Sequence, residues 1–441
     1  MSDSKTKTIK VSYLARVEGE GALHVRMRKG KVEDVQLKIF EPPRFFEAFL
    51  RGRNALEAPD ITARICGICP VAYQMSAVHA VEHALGVTVT EPLRDLRRLL
   101  YCGEWIESHT LHVYMLHAPD FLGFEDAMGM AKSHPKEVQM GLAIKKAGNS
   151  IVSVVGGREV HPINVKVGGF HRAPRPGEVR TLLEPLQRAL AMAVDTVRWV
   201  AGFSFPDFDR EPEFVALRHP TEYPMCDGRV VSSEGIDIDA VQFDDQFAEI
   251  HVPYTNALHS VVKGRGSYLT GPLARFNLNR SLLATTARSL ADEFLLEIIV
   301  KSPFKSIIIR SIEIVHALEE AIRIIEKYRE SPAPSVPFTL HAGAGAAVTE
   351  APRGLLYHRY RLSEDGTILD AKIIPPTSQN QKSIEDDLRD LLPSRAALPK
   401  GELTHLCEQA IRNHDPCISC ATHFLRLEIH DVEPSDGTVM P

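Results

Sequence analysis

The chain has 441 residues, a net charge of −6, 44% hydrophobic residues and 24% charged residues. It is long enough for one large domain or two to three ordinary ones, and a mildly acidic chain without a basic block argues against nucleic acid as a main partner. No run of 18 apolar residues is present, Phe294–Val300 being among the longest apolar stretches, and Met1–Lys10 is too polar for a secretion signal, so a cytoplasmic protein with no membrane span is expected.

Along the chain, residues 9–40 read as strands. Leu23, Val25 and Met27 alternate with His24, Arg26 and Arg28, and Gly30 offers a turn. Residues 44–53 suggest a short helix. From about 72 to 202 the pattern is helical: Pro92 suits a helix start, Leu93, Leu96 and Leu100 mark one face, and 180–202 is a further long helix. Residues 203–280, rich in Pro, Gly, aromatic and acidic residues, read as a loop-rich insertion with short strands such as Phe243–Val252. Helices return at about 281–299 and 310–329, and Ser331–Pro337 is a linker. Residues 355–374 form a hairpin about Asp365-Gly366. Ser383 with Asp386 reads as a cap for a helix through Leu388–Leu392. Leu403, Leu406, Cys407, Ala410 and Ile411 share one face of a last helix. The expected fold is α+β: a mostly helical core bundle with small N-terminal and C-terminal β elements.

Seven cysteines are present, and four lie in two C-x-x-C pairs: Cys66 with Cys69, and Cys417 with Cys420. Free thiols in so long a chain suit a reducing compartment rather than a disulfide scaffold. More than 340 residues separate the pairs, whereas a zinc ribbon keeps its pairs within about 15–20 residues. If they meet, the whole fold brings them together, and residues 1–441 form a single interlocked domain. Four thiolates bind zinc, iron, copper(I) or nickel. A long-range zinc staple in a non-catalytic assembly protein is the competing reading. Cys102, Cys226 and Cys407 are isolated, so no iron–sulfur cluster is expected on this chain. Gly343-Ala344-Gly345 lacks the third glycine of a dinucleotide loop, so no NAD(P) or flavin site is expected either.

Four blocks run in order: Arg16-Val17-Glu18-Gly19, Arg64-Ile65-Cys66-Gly67-Ile68-Cys69, Ala351-Pro352-Arg353-Gly354, and Asp415-Pro416-Cys417-Ile418-Ser419-Cys420-Ala421-Thr422-His423. Together they resemble the large, catalytic subunit of [NiFe] hydrogenases, over nearly the whole length. The resemblance implies reversible heterolytic cleavage of H2 at a Ni–Fe centre. It makes Cys66 and Cys417 terminal nickel ligands, Cys69 and Cys420 bridges to iron, and puts cyanide and carbon monoxide on the iron. It casts Glu18 as the proton gate, a role that calls for a buried carboxyl of raised pKa. Arg353 would lie close to the metals. Its guanidinium is a poor resting base, so Cys417 sulfur is favoured as proton acceptor, while a base role for Arg353 stays open. Asp415 would position Arg353 or the first turn of the second pair. Glu47 and His423, with a main-chain carbonyl near Lys372, match a site for Mg2+ or Fe2+. By rough position, Thr377 or Ser378 would hydrogen-bond a cyanide.

One departure is Ser108, where membrane-bound members carry Asp; the pattern is closer to the soluble NAD(P)-linked or sulfhydrogenase-like branch. His109, His112 and His117 are expected to be packed helix residues rather than a ligand cluster. The implied partners are a small subunit with iron–sulfur clusters, a diaphorase module with flavin and NAD(P), and maturation factors. An H2 sensor or a non-NAD(P), electron-bifurcating hydrogenase is the alternative within the family. Family members are often cut after the motif's His. Here residues 424–441 follow, with Phe424, Leu425, Leu427 and Ile429 apolar enough to pack, so retention is expected and removal is the alternative.

Overall fold

Alternation builds the first sheet. In the computed structural model, which describes residues 6–42 and 44–422, β1 (Thr6–Val11), β2 (Gly21–Arg28) and β3 (Lys31–Ile39) form an antiparallel meander in that order. Leu23, Val25 and Met27 point inward from β2, as their spacing requires.

The centre is helical. It contains α1 (Pro70–Ala84), α2 (Leu93–Leu111), α3 (Pro135–Gly156), α4 (Leu183–Ala201) and α5 (Ser306–Lys327). Most residues of α1, α2 and α5 are buried, as expected of helices enclosed by others. The helical stretch expected over 72–202 is interrupted. A wider π-turn spans His112–His117, and the Pro-containing region 157–175 makes loops around a small ribbon, Val165–Lys166 with Gly169–Phe170. Within 203–280, β4 (Glu213–Arg218) and β5 (Arg229–Ser232) centre a four-stranded sheet. The strand expected over Phe243–Val252 is shorter. Asp239 and Gln242 form a capping box, so Phe243–Gln246 is a helical turn and only Phe247–Ile250 is strand. The helix expected over 281–299 runs only from Thr285 to Phe294. The Arg280 side chain takes the carbonyls of Ala291, Leu295 and Glu297, satisfying a C-terminus that then unwinds.

The C-terminal sheet adds a strand that the sequence pattern does not announce. β6 (Gly343–Ala351) pairs with β7 (Gly354–Leu362), and β7 with β8 (Ile368–Ile374) across the expected turn at Asp365-Gly366. The glycines of β6 serve close packing. A Cβ on Gly345 would lie 2.2 Å from the Ala80 carbonyl oxygen of α1, and one on Gly343 would lie 2.3 Å from that of Ala84. α6 (Pro376–Arg395) starts seven residues before Ser383, with Pro376 at its first position. Ser383 is therefore mid-helix and receives a hydrogen bond from Arg210 (2.8 Å) rather than capping anything. α7 (Lys400–Arg412) buries Leu403, Cys407, Ala410 and Ile411 on one face and leads into the second thiol pair. One apolar core runs from Leu50 to Cys420 and includes all four paired cysteines. Among the described residues no helix is long and apolar enough to cross a membrane.

Candidate metal centre

Each thiol pair sits on a tight turn beside a helix end. The Ala63–Ile65 turn delivers Cys66, and Cys69 caps α1, whose first residue is Pro70. The first amides of α1 lack helical partners; the buried Glu104 carboxylate of α2 accepts those of Val71 (2.6 Å) and Ala72 (3.1 Å). The Ile68 and Cys69 N–H groups both point at the Cys66 sulfur, at 3.3 and 3.1 Å. At the other end, Asp415 takes a left-handed backbone (φ 51°) and turns the chain out of α7. Residues 417–418 then align with Glu18, the Ile418 N–H donating to the Glu18 carbonyl at 2.9 Å. The Cys417 N–H donates to the Thr377 hydroxyl at 3.0 Å.

The four sulfurs converge. Sγ distances are 2.9 Å for Cys66–Cys69, 2.7 Å for Cys417–Cys420, 3.5 Å for Cys66–Cys417 and 3.9 Å for Cys69–Cys420. All four lie within 4.8 Å of one another, all are buried and none forms a disulfide. Burial would raise the Cys66 thiol, yet hydrogen bonds from Cys417, Cys420 and Cys69 and the charge of Arg353 hold it well below its ordinary value. Burial and the neighbouring thiols push Cys417 the other way. The set suits a soft or borderline metal, with two sulfurs from each end of the chain.

Arg353 reaches the same centre from the turn between β6 and β7. Its Nε donates to the Asp415 carbonyl (2.8 Å), its Nη2 lies 3.2 Å from Asp415 Oδ1, and Nη1 reaches Ser108 Oγ only at 3.5 Å. Burial alone would lower this guanidinium; Asp415 and the thiol sulfurs more than reverse that, so Arg353 stays charged. The carboxylate beside Arg353 is therefore Asp415, with the weaker Ser108 hydroxyl on the other side.

The structure places Glu18 against the thiols. Its Oε2 lies 3.0 Å from Cys417 Sγ, which can donate to it, and accepts the Ser419 N–H at 3.1 Å. Glu18 is half-buried in this chain, where full burial was expected. Gly19 follows with φ 88°, and a Cβ there would lie 2.5 Å from Glu41 Oε1 and 2.8 Å from Ile418 Cβ, so only glycine fits the crossing. Ser419 Oγ donates to Glu41 Oε1 (3.1 Å).

Glu47 lies on the short helix Phe46–Leu50 and its Oε1 accepts the Ile373 N–H at 2.7 Å, next to Lys372. The Lys372 side chain turns away to Asp244 (2.7 Å) and Glu249 (3.8 Å). Burial pushes the Glu249 carboxyl up to about 8. His423 and the tail 424–441 lie outside the described residues. Thr377 and Ser378 are buried in the first turn of α6, and the Thr377 hydroxyl oxygen already serves Cys417. His109 lies 2.9 Å from Glu313 and His112 Nε2 bonds the Arg412 carbonyl (2.7 Å); His117 packs on His112 and Phe121, and the three histidines form no metal-ligand group among the described residues.

Several residues at the site carry no sequence motif. Arg44 bonds the carbonyls of Ile65 (2.7 Å) and Ser419, tying one thiol turn to the other. Arg275, fully buried, donates to the carbonyls of Ala351 (2.8 Å) and Pro352 (2.9 Å) and pairs with Glu350 and Glu313, fixing the turn that presents Arg353. An acidic Glu350 next to the Ala-Pro-Arg-Gly turn was the one visible sign that such a cation was needed.

The fold is that of a hydrogenase large subunit, as the comparisons show. A family model described as nickel-dependent hydrogenase matches residues 44–143. The alpha subunit of sulfhydrogenase 2 from Pyrococcus furiosus is 33% identical over 95% of this chain and 100% of its own length. The beta subunit of the NAD-reducing hydrogenase HoxS from Cupriavidus necator is 27% identical, with 95% of each chain covered. A crystal structure of an NAD+-reducing [NiFe]-hydrogenase in its H2-reduced state superposes with a TM-score of 0.85 at 26% identity, covering 96% of this chain and 100% of that one. The chain belongs to the nickel-dependent hydrogenases, oxidoreductases acting on H2. Its four buried, unbridged sulfurs fit the Ni–Fe centre that this family implies.

Proposed function

We propose that this chain is the H2-activating subunit of a soluble, cytoplasmic hydrogenase complex that splits H2 reversibly into protons and electrons. The reading rests on one observation above all: Cys417, one of four convergent sulfurs, faces the Glu18 carboxylate at 3.0 Å while a buried, charged Arg353 closes the other side. Cys66, Cys69, Cys417 and Cys420 would hold the Ni–Fe centre, Cys66 and Cys417 serving nickel and Cys69 and Cys420 serving both metals, with cyanide and carbon monoxide completing the iron. When bound, the centre supplies the Lewis acidity and electron uptake that heterolysis of H2 needs. Cys417 Sγ takes the proton and passes it to Glu18 Oε2. Ser419 orients Glu18 through its N–H and, through its hydroxyl, leads to Glu41 and solvent. Arg353 keeps its proton; it orients H2 and balances negative charge, and Asp415 holds it there. Glu47, His423 and the Lys372 carbonyl would bind Mg2+ or Fe2+, and the Thr377 or Ser378 hydroxyl would donate to a cyanide on the iron.

Electrons leave through a small subunit with iron–sulfur clusters, and a diaphorase module with flavin delivers them to NAD(P). The support is the likeness to a relative named for NAD reduction. A relative from Methanocaldococcus jannaschii named as an F420-non-reducing hydrogenase, 30% identical over 86% of this chain, supports a second reading with a different acceptor. Elemental analysis of the complex, purified without oxygen, tests the core of the proposal. About one nickel per chain with iron is expected; stoichiometric zinc without nickel would overturn it.

A further inference from the structure

Cys417 faces Glu18 only if two distant segments meet in one register: residues 15–18, after β1, and residues 412–417, which begin at the last residue of α7. One buried carboxylate, Asp120, joins them. Arg412 Nε and Nη2 donate to its two oxygens at 2.7 and 2.8 Å, and Arg16 Nη2 bonds Oδ1 as well. The arms extend further. Arg412 Nη1 holds the Ala15 carbonyl (2.8 Å), and Arg16 Nη1 holds the Leu116 carbonyl (2.7 Å). The Arg412 carbonyl is itself bonded to His112 (2.7 Å).

Arg16 adopts φ 57°, a left-handed conformation that a long side chain takes only where its surroundings impose it. The turn sends the guanidinium to Asp120 and leads the chain on to Glu18, which meets Cys417. Burial would raise the Asp120 carboxyl, but the hydrogen bond and charge of Arg412, then the charge of Arg16, hold it below its ordinary value, so it is ionised. Two other groups face the cluster: Glu408, 3.8 Å from Arg412, and His117, which burial holds at about 3 and therefore neutral.

We propose that Asp120 is a positioning residue for proton transfer, fixing Glu18 against Cys417 through Arg16 and Arg412. In the step it serves, the S–H bond of Cys417 breaks, an O–H bond forms on Glu18 Oε2, and no electron moves. The inference rests on Glu18 as the proton acceptor. A donor–acceptor contact of 3.0 Å leaves little slack, and a displacement of about 1 Å can cost roughly 100-fold in rate.

The test uses the purified complex carrying Arg16→Gly, Asp120→Asn or Glu18→Gln. Arg16→Gly permits the same φ and leaves the Asp120–Arg412 pair intact, so it removes one arm with little cost to folding. The readouts are nickel content, para-hydrogen conversion, H2/D+ exchange, and the Glu18–Cys417 separation in a crystal structure. For Arg16→Gly the expected result is full nickel, retained para-hydrogen conversion, exchange lower by about 10- to 100-fold, and a longer separation. A nickel-replete Arg16→Gly complex with wild-type exchange would overturn the proposal, as would loss of nickel in both Arg16→Gly and Asp120→Asn, which would make the cluster a folding element. Wild-type exchange in Glu18→Gln would instead remove the reading beneath it.

Discussion

The two thiol pairs share one spacing and differ in what holds them. Cys66 and Cys69 sit at the start of a long buried helix. Their turn is fixed locally, by Pro70, and by Glu104 on the next helix. Two amides point at the Cys66 sulfur, an arrangement that favours a thiolate. Cys417 and Cys420 run into only a short 3-10 turn, Ser419–Thr422, with no α-helix following among the described residues. Their turn is held by Glu18, Thr377 and Arg44, three residues far apart in sequence. The Cys417 sulfur meets a carboxylate, which favours a thiol that carries a proton. A single motif thus yields one pair supported by amides and a neighbouring helix and one whose sulfur faces a carboxylate, as the proposed proton exchange requires.

The largest expected effect strikes the second pair. Cys417→Ser replaces a soft sulfur with a hard oxygen and removes the proposed proton carrier. Nickel content and H2 oxidation should both vanish, and a nickel-replete, active variant would break the assignment. Glu18→Gln probes the asymmetry more finely. The amide can still accept the Ser419 N–H but cannot take a proton. Nickel should remain normal while H2/D+ exchange falls by about 100-fold or more.

A smaller effect belongs to the first pair. In Glu104→Gln an amide NH2 must face an N–H of Val71 or Ala72, leaving buried donors without an acceptor. The expected loss is about 1–3 kcal/mol of stability, read as a lower unfolding midpoint, with nickel retained. If Glu104→Gln instead blocked proton exchange at full nickel, the first pair would not be the passive member.

The parts of the site that read clearly in the sequence are those set by short local pattern. The cysteine pairs, the Ala351–Gly354 turn and Glu18 are turn residues flanked by Gly or Pro, and each lies where the fold converges. What stayed hidden depends on pairings across hundreds of residues. Arg44 looks like part of a basic, aromatic surface helix, yet it bridges both thiol turns. Arg275 lies on the helix Pro272–Asn279, in a stretch whose sequence reads as loop, and its value comes from two glutamates and two carbonyls that the sequence does not bring near it. The fold shows the same division. The β7–β8 hairpin is legible from Asp365-Gly366, whereas β6 is a glycine-alanine strand whose smallness makes sense only once α1 lies 2.2 Å from an imagined Cβ.

The smallest expected effect concerns the flank behind the first pair. Glu107, one turn along α2 from Glu104, is buried and makes no hydrogen bond or ion pair among the described residues. Burial pushes its carboxyl up to about 8, against the pull of Lys145. The sign follows from linkage. An unfolded chain releases this proton near 4.5, the ordinary value, while the folded chain keeps it to about 8. Between those values the unfolded state binds fewer protons, so rising pH favours unfolding, and stability from this group is greatest below about 4.5 and is lost progressively up to about 8. Glu107→Gln abolishes the ionisation and keeps the shape. The thermal midpoint of the variant complex should therefore gain on the wild type as pH rises across that window, with little change in nickel content. Parallel pH profiles for the two proteins would mean that Glu107 is solvated, and that the first pair's flank is open to water as the Glu18 side is.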